Sequence, residues 1–267
     1  MTQTNNPPRV SFIIAGVQKA ATTALSRFLA THPNAFLPKH EAHYFDHDKL
    51  DWANPDHASY EKRFVAAKPG QLVGEKSPSY LFWDHALGRI RNYNPAMKLI
   101  VSLRNPVDRA YSHWRMETYR GNETRSFSYA IRDGRKRIAV HDGGRNKNKR
   151  RFSFVERGFY AAQIEQALAL FPREQLLFLT NCDLAKNQRT CLDRLCHFLN
   201  IDTFRKYPPD EKILPRYLNV TPAQVRPLEE MAPLLGDDVK YLRGLYGDDI
   251  SRTEALTGLA LGHWLSS

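Results

Sequence analysis

The chain is poor in cysteine, with three in 267 residues, at positions 182, 191 and 196. An odd number at that spacing forms no disulfide framework and no tight metal cluster. Cys191 and Cys196 fall in one apolar period with Leu192, Leu195 and Leu199, so they read as buried structural thiols. No window approaches the roughly 20 consecutive apolar residues of a membrane span. The opening stretch, Met1 to Pro8, is polar and lacks the basic and apolar regions of a secretory leader. A cytoplasmic protein is therefore expected, with residues 1–9 flexible. Internal repeats and long linkers are missing too, which leaves a single domain over 1–267 as the expectation. The last absence is chemical: no Gly-Lys-Ser/Thr triplet of the nucleoside-triphosphate P-loop follows the first strand pattern.

Positive charge, by contrast, is in surplus: 39 Lys and Arg stand against 28 Asp and Glu, a net +11. Such a balance favours anionic partners. The densest run, Arg145 to Arg151, follows Gly143 and Gly144 and contains no acid. It has neither helical nor strand period, and 142–151 reads as a mobile basic loop, either plainly solvated or forming an electropositive lip over a cleft.

The most informative stretch runs from Val10 to Leu25. A β-branched apolar run ends at Gly16, and a helical pattern opens at Thr22 and Thr23. Between them lies a short loop carrying Lys19. A strand, a tight loop with a lysine and a helix N-terminus suit a phosphate, because the free N–H groups and the positive end of the helix dipole face the anion. A plain βα turn is the alternative for this loop taken alone.

Strand and helix patterns alternate along the chain, predicting an α/β fold with a central parallel sheet flanked by helices. Strands are predicted at Val10–Ala15, Leu72–Gly74, Leu99–Leu103 and Leu176–Thr180. Helices are predicted at Thr22–Thr31, His85–Tyr93, Pro106–Tyr119, Phe127–Lys136, Phe159–Phe171 and Asn187–Leu199, with a pair after Pro222. The 106–119 helix is the best marked: Asn105 can cap it, Pro106 suits its first position and Asp108 its first turn. Arg104 ends the preceding strand, at the sheet edge where α/β proteins bind ligands.

Three further segments carry chemistry-bearing side chains. The run from Pro38 to Asp46 holds Glu41, His43 and Asp46; Gly74 to Tyr80 holds Lys76; Leu103 to Trp114 holds Arg104 and Ser112. Singly, each has an ordinary explanation: a packed histidine, a surface lysine, an arginine paired with Asp108. His40, His43 and His47 with Asp46 are too loosely spaced, and lack the helix signature, for a metal site.

Taken in this order, Lys19-Ala-Ala-Thr-Thr23, Glu41-Ala-His-Tyr-Phe-Asp46, Glu75-Lys-Ser-Pro-Ser-Tyr80 and Arg104-Asn-Pro-Val-Asp-Arg-Ala-Tyr-Ser112 resemble the carbohydrate-type PAPS-dependent sulfotransferases. These include the heparan sulfate O-sulfotransferases and their bacterial relatives; PAPS is 3′-phosphoadenosine 5′-phosphosulfate. The resemblance covers about residues 10 to 200. It implies a P-loop-like 5′-phosphosulfate loop in which Lys19 and the N–H groups of Ala20, Ala21, Thr22 and Thr23 hold the donor, with Ala21 where glycine is usual. It implies that Arg104 and Ser112 bind the 3′-phosphate, that Glu41 is the general base, that His43 and Asp46 orient base and acceptor, and that Lys76 lies near the leaving group and acceptor. Arg157-Gly-Phe-Tyr160 matches a helix-opening segment that packs at the cleft. Lys212 or Arg216 would close on the nucleotide, where eukaryotic members use a disulfide-bounded loop that this chain has no cysteine pair to form. A bacterial, cytoplasmic relative is the better match.

Sulfuryl transfer needs in-line placement, a base for the acceptor proton and cations on the leaving phosphate, and it requires no metal. The expected function is sulfuryl transfer from PAPS to a hydroxyl or amine, on a small molecule or an anionic saccharide or glycolipid, without nucleic acid or a membrane span. The alternatives are a P-loop kinase, which would need Gly-Lys-Ser/Thr and a magnesium carboxylate, and a non-catalytic polyanion-binding module, which would leave Glu41 unexplained.

Overall fold

The computed structural model describes residues 8–140, 146–208 and 233–266. Its strands are β1 (Phe12–Gly16), β2 (Ala35–Phe36), β3 (Leu72–Lys76), β4 (Lys98–Leu103) and β5 (Leu176–Thr180). The described helices are α1 (Thr22–Ala30), α2 (His57–Glu61), α3 (Ala86–Tyr93), α4 (Pro106–Tyr119), α5 (Phe127–Ile131), α6 (Lys147–Phe152), α7 (Ala161–Leu170), α8 (Asn181–Lys186), α9 (Gln188–Leu199) and α10 (Gly236–Thr257). The chain forms two compact units. One combines the chain up to Leu103 with the segment that begins at Glu165; the other combines Arg104–Ile164 with the C-terminal segment.

The first unit holds the whole sheet, five strands in the order β2-β3-β1-β4-β5 and all parallel. The α/β class with a parallel sheet flanked by helices is as expected. β1 lies at the centre and every one of its residues is buried, which is why it reads as an unbroken apolar run rather than an alternation. Its alternate residues Phe12 and Ile14 pack with Ile100 and Leu179 beneath Leu25, Phe28 and Leu29 of α1 and Leu192, Leu195 and Leu199 of α9. Gly74 of β3 is opposite Phe12 in register, and a Cβ there would meet the Phe12 ring at 2.2 Å. Cys191 and Cys196 are buried in the same core, while Cys182 in α8 is exposed. Burial pushes the Cys191 thiol up to about 12 and the Cys196 thiol to about 11.

In the second unit, α10 runs 22 residues and stops at Gly258, whose φ is 72°, the left-handed cap that glycine adopts freely. Asp249 within it caps α7: its carboxylate accepts the Tyr160 N–H at 2.7 Å and the Ala161 N–H at 3.1 Å. The Tyr246 hydroxyl donates to the Val155 carbonyl at 2.8 Å. A Cβ on Gly158 would lie 2.6 Å from that hydroxyl oxygen, which accounts for the glycine of the Arg157-Gly-Phe-Tyr160 segment.

Several boundaries differ from expectation. The two-residue edge strand β2 and the helix α8 are additions. The helix predicted over Phe127–Lys136 ends at Ile131, and a 3-10 turn over Asp133–Ala139 follows; a Cβ at Gly134 would come within 3.0 Å of the Tyr129 carbonyl. Of the stretch 142–151, expected as a loop, residues 147–151 belong to the short helix Lys147–Phe152, led by Asn146 at a φ of 50°. After Pro222 the described residues hold α10 and a 3-10 turn at Gly262–Trp264.

Candidate functional site

In the first unit the loop after β1 carries Lys19 and Ala21 at φ values of 77° and 61°, both left-handed and costly for side-chain-bearing residues. Ala21 is the N-cap of α1, and no side chain caps that helix, so its first-turn N–H groups are presented without a competing side-chain acceptor. The loop is tied to the sheet: the buried Ser102 hydroxyl of β4 donates to the Ala20 carbonyl at 2.7 Å, and the Val17 N–H donates to the Ser102 carbonyl at 2.9 Å. The arrangement is a lysine-bearing cradle, with an uncapped helix N-terminus, at the carboxyl end of the central strand, of a kind that suits an anion.

Beside it the segment between β2 and α2 brings Glu41, His43 and Asp46 together. One oxygen of Glu41 lies 2.6 Å from Lys76 Nζ and the other 2.9 Å from His43 Nε2. His43 Nδ1 is 3.0 Å from Asp46 Oδ2, and that oxygen accepts the Ser79 hydroxyl at 2.6 Å. A carboxylate on each ring nitrogen favours the imidazolium, in which both nitrogens donate. Its pKa is raised to about 9, first by the hydrogen bond to Asp46 and then by that to Glu41, against the opposing pull of burial. Burial by itself pushes the Glu41 carboxyl up, but the hydrogen bond from His43 and the charge of Lys76 outweigh it and hold the group below the ordinary carboxylate range. Glu41 is thus ionised and His43 protonated near neutrality, so of the two only Glu41 is in the basic form.

Lys76, at the end of β3, also donates to the Thr23 hydroxyl at 3.1 Å. One ammonium therefore spans the first turn of α1 and the carboxylate of Glu41. The side chain of Lys76 is 12% exposed against 31% for Glu41, so the pair is partly shielded and still reaches solvent. Sequence reasoning had Lys19, Thr23, Glu41, His43, Asp46 and Lys76 as site residues, and all of them lie in this unit. It missed Ser77 and Ser79, whose hydroxyls bind the His43 N–H (3.2 Å) and Asp46; both flank Pro78 in the segment singled out for Lys76.

In the second unit Arg104 opens the approach to α4, and Asn105 caps it by accepting the Val107 N–H at 3.0 Å. Pro106 takes its first position as expected. The Tyr160 hydroxyl donates to the Arg104 carbonyl at 2.8 Å. Ser112 is buried in the second turn of α4. Lys212 and Arg216 lie outside the described residues. Among the described residues no group of three or more His, Cys, Asp or Glu is arranged to hold a metal ion, and no helix is long and apolar enough to cross a membrane.

Comparison with known proteins bears on this geometry directly. The chain is similar to heparan sulfate glucosamine 3-O-sulfotransferase 6 of Mus musculus, 32% identical over 193 residues, covering 71% of this chain and 52% of that protein. It is 27% identical over 214 residues to heparan sulfate glucosamine 3-O-sulfotransferase 5 of Homo sapiens, covering 78% of this chain and 57% of that protein. The chain thus spans about half the length of the curated relatives it matches. A solved sulfotransferase from Alicyclobacillus acidocaldarius superposes with a TM-score of 0.79 at 26% identity, covering 96% of this chain and 99% of that one. Residues 9–214, which carry the cradle, the Glu41 cluster and the Arg104 segment, match the model of the sulfotransferase domain family, and the chain belongs to that family.

Proposed function

We propose that this chain transfers a sulfuryl group from PAPS to a hydroxyl or amine, with Glu41 as general base. The observation that carries the reading is the bridge made by Lys76, which joins the phosphate-type loop to Glu41, the partly exposed carboxylate of the Glu41–His43–Asp46 cluster, in which Asp46 is buried.

The residues present suit the donor: an uncapped helix N-terminus, a left-handed turn at Ala21, and the lysines at 19 and 76. PAPS supplies an activated sulfuryl group on a phosphate leaving group. Lys19, with the N–H groups of residues 20–23, would hold the 5′-phosphosulfate, and Arg104 and Ser112 the 3′-phosphate, where a guanidinium can grip two oxygens at once. Glu41 takes the acceptor proton as the new oxygen–sulfur or nitrogen–sulfur bond forms. The electron pair of the breaking bond passes to the phosphate oxygen, and Lys19 and Lys76 offset its growing charge. His43, charged and anchored by Asp46, holds Glu41 in place.

The relatives named for heparan sulfate glucosamine and the net positive charge favour an anionic saccharide acceptor. The experiment combines two arms. In thermal shift, adenosine 3′,5′-bisphosphate should stabilise the protein with a chelator present while ATP does so much less. With labelled PAPS and heparan sulfate chains as the trial acceptor, Glu41→Gln should bind the bisphosphate normally and transfer roughly 10²-fold more slowly. Near-normal transfer by that variant would assign the proton to another group.

A further inference from the structure

The carboxylate of the β3 segment, Glu75, takes no part in that chemistry, yet it is completely buried, a costly position for an ionisable group. Its surroundings are hydroxyls. Tyr60 of α2 donates to Oε1 at 2.8 Å and Ser77 donates to Oε2 at 3.2 Å; the Tyr80 hydroxyl is a third partner, and His43 is the nearby positive charge. Each of two of these hydroxyls also faces the segment that carries the base. Ser77 Oγ accepts the His43 N–H at 3.2 Å, and Tyr80 Oη accepts the Tyr44 N–H at 2.9 Å. A hydroxyl has one proton to give. With that proton turned to Glu75, the lone pairs of Ser77 and Tyr80 are left for the amides of residues 43 and 44. The segment needs such restraint, because His43 has a φ of 48°, a left-handed conformation that persists only where its surroundings impose it.

We propose that Glu75 is a positioning residue: by fixing the proton direction of the Ser77 and Tyr80 hydroxyls, it makes them acceptors for the backbone at His43 and Tyr44 and so holds Glu41, His43 and Asp46 in register. The inference rests on the reading of that cluster as the basic end of the site. In Glu75→Gln the amide presents donors of its own, and the two hydroxyls lose a fixed acceptor.

The test follows the His43 ring by nuclear magnetic resonance across a pH titration, in the full chain. Wild type, Glu75→Gln and Ser77→Ala are compared, and adenosine 3′,5′-bisphosphate affinity is measured by calorimetry on each. The expected result is a His43 midpoint lower by at least one pH unit in Glu75→Gln, a smaller fall in the same direction in Ser77→Ala, and bisphosphate affinity within about threefold of wild type. An unchanged His43 midpoint in the variants overturns the proposal, and so does a midpoint shift accompanied by an equal collapse of nucleotide binding, which marks general loss of structure. Should Glu75→Gln not fold, Ser77→Ala decides by the same criterion. The reading of Glu41 as base fails separately, by retained transfer in Glu41→Gln, since the His43 midpoint reports the geometry of the segment whichever group takes the proton.

Discussion

Lys76 Nζ and Glu41 Oε1 are 2.6 Å apart, so the carboxylate assigned to proton transfer is in contact with a cation before any acceptor arrives. The contact favours the ionised form and weakens the base in the same stroke. Proton affinity at Glu41 is set by burial, which raises it, against the hydrogen bond from His43 and the charge of Lys76, which lower it, and on the proposed reading a phosphate on the leaving side would compete for the same ammonium.

Lys76→Met should raise the Glu41 titration, because His43 alone then opposes burial. The acid limb of kcat/KM is expected to move to higher pH, together with a lower plateau from the lost cation. A lower plateau with the limb unmoved would assign Lys76 to the leaving group alone.

Ala21→Gly should stabilise the fold. At a φ of 61° the methyl group carries left-handed strain of about 1 kcal/mol, which glycine relieves, less the entropy glycine adds to the unfolded chain. Urea denaturation is expected to show a gain of up to ~1 kcal/mol with an unchanged m value; a loss would mean that the methyl packing outweighs the strain.

Arg104→Ala should weaken adenosine 3′,5′-bisphosphate binding by about 2 kcal/mol, while 5′-AMP, which lacks the 3′-phosphate, changes much less. Tyr160→Phe removes the hydroxyl that holds the Arg104 carbonyl and is expected to give a smaller loss with the same preference. Calorimetry on both nucleotides checks this; equal losses for the two would leave Arg104 a structural role.

Stability should fall as pH rises through the His43 titration. Its folded pKa, about 9, lies above the ordinary 6.5, so the folded state holds the proton more tightly. The stabilisation is complete below about 6.5 and is lost as pH climbs through about 9. The side chain is 46% exposed, so solvent screening keeps the effect modest. Denaturation midpoints measured from pH 6 to 10 should slope downward in wild type and flatten across that window in His43→Gln; parallel slopes would place the titration elsewhere.

What could be read in advance follows the range of the interactions involved. β5 and α4 match their predicted bounds because local signals set them: an apolar run between turn residues, and the Asn105-Pro106 start. α8 had a local signal too, since Thr180 accepts the Asp183 N–H and Asp183 accepts the Thr180 N–H in return, but the expectation ran β5 straight on to the next helix. β2 is only two residues long and owes its existence to pairing with Leu72 and Val73, which no window of its own sequence encodes. At the site, motif order singles out Glu41, His43, Asp46 and Lys76, and the fold brings these side chains into contact. The partners of Ser77, Ser79 and Glu75 were not, because a hydroxyl is suited equally to water, to backbone or to a carboxylate until the fold chooses.

The thiol placement makes this chain convenient to tag. Cys191 and Cys196 are shielded and strongly protonated, whereas Cys182 stands exposed in the first turn of α8, two residues beyond the end of β5. A maleimide dye added to the native protein at neutral pH should therefore attach once, without mutagenesis, at the carboxyl-terminal edge of the sheet. Because β5 runs parallel to β1 through β4, a reporter there sits at the same end of the strands as the Lys19 loop, and attaching it alters none of the residues proposed to act.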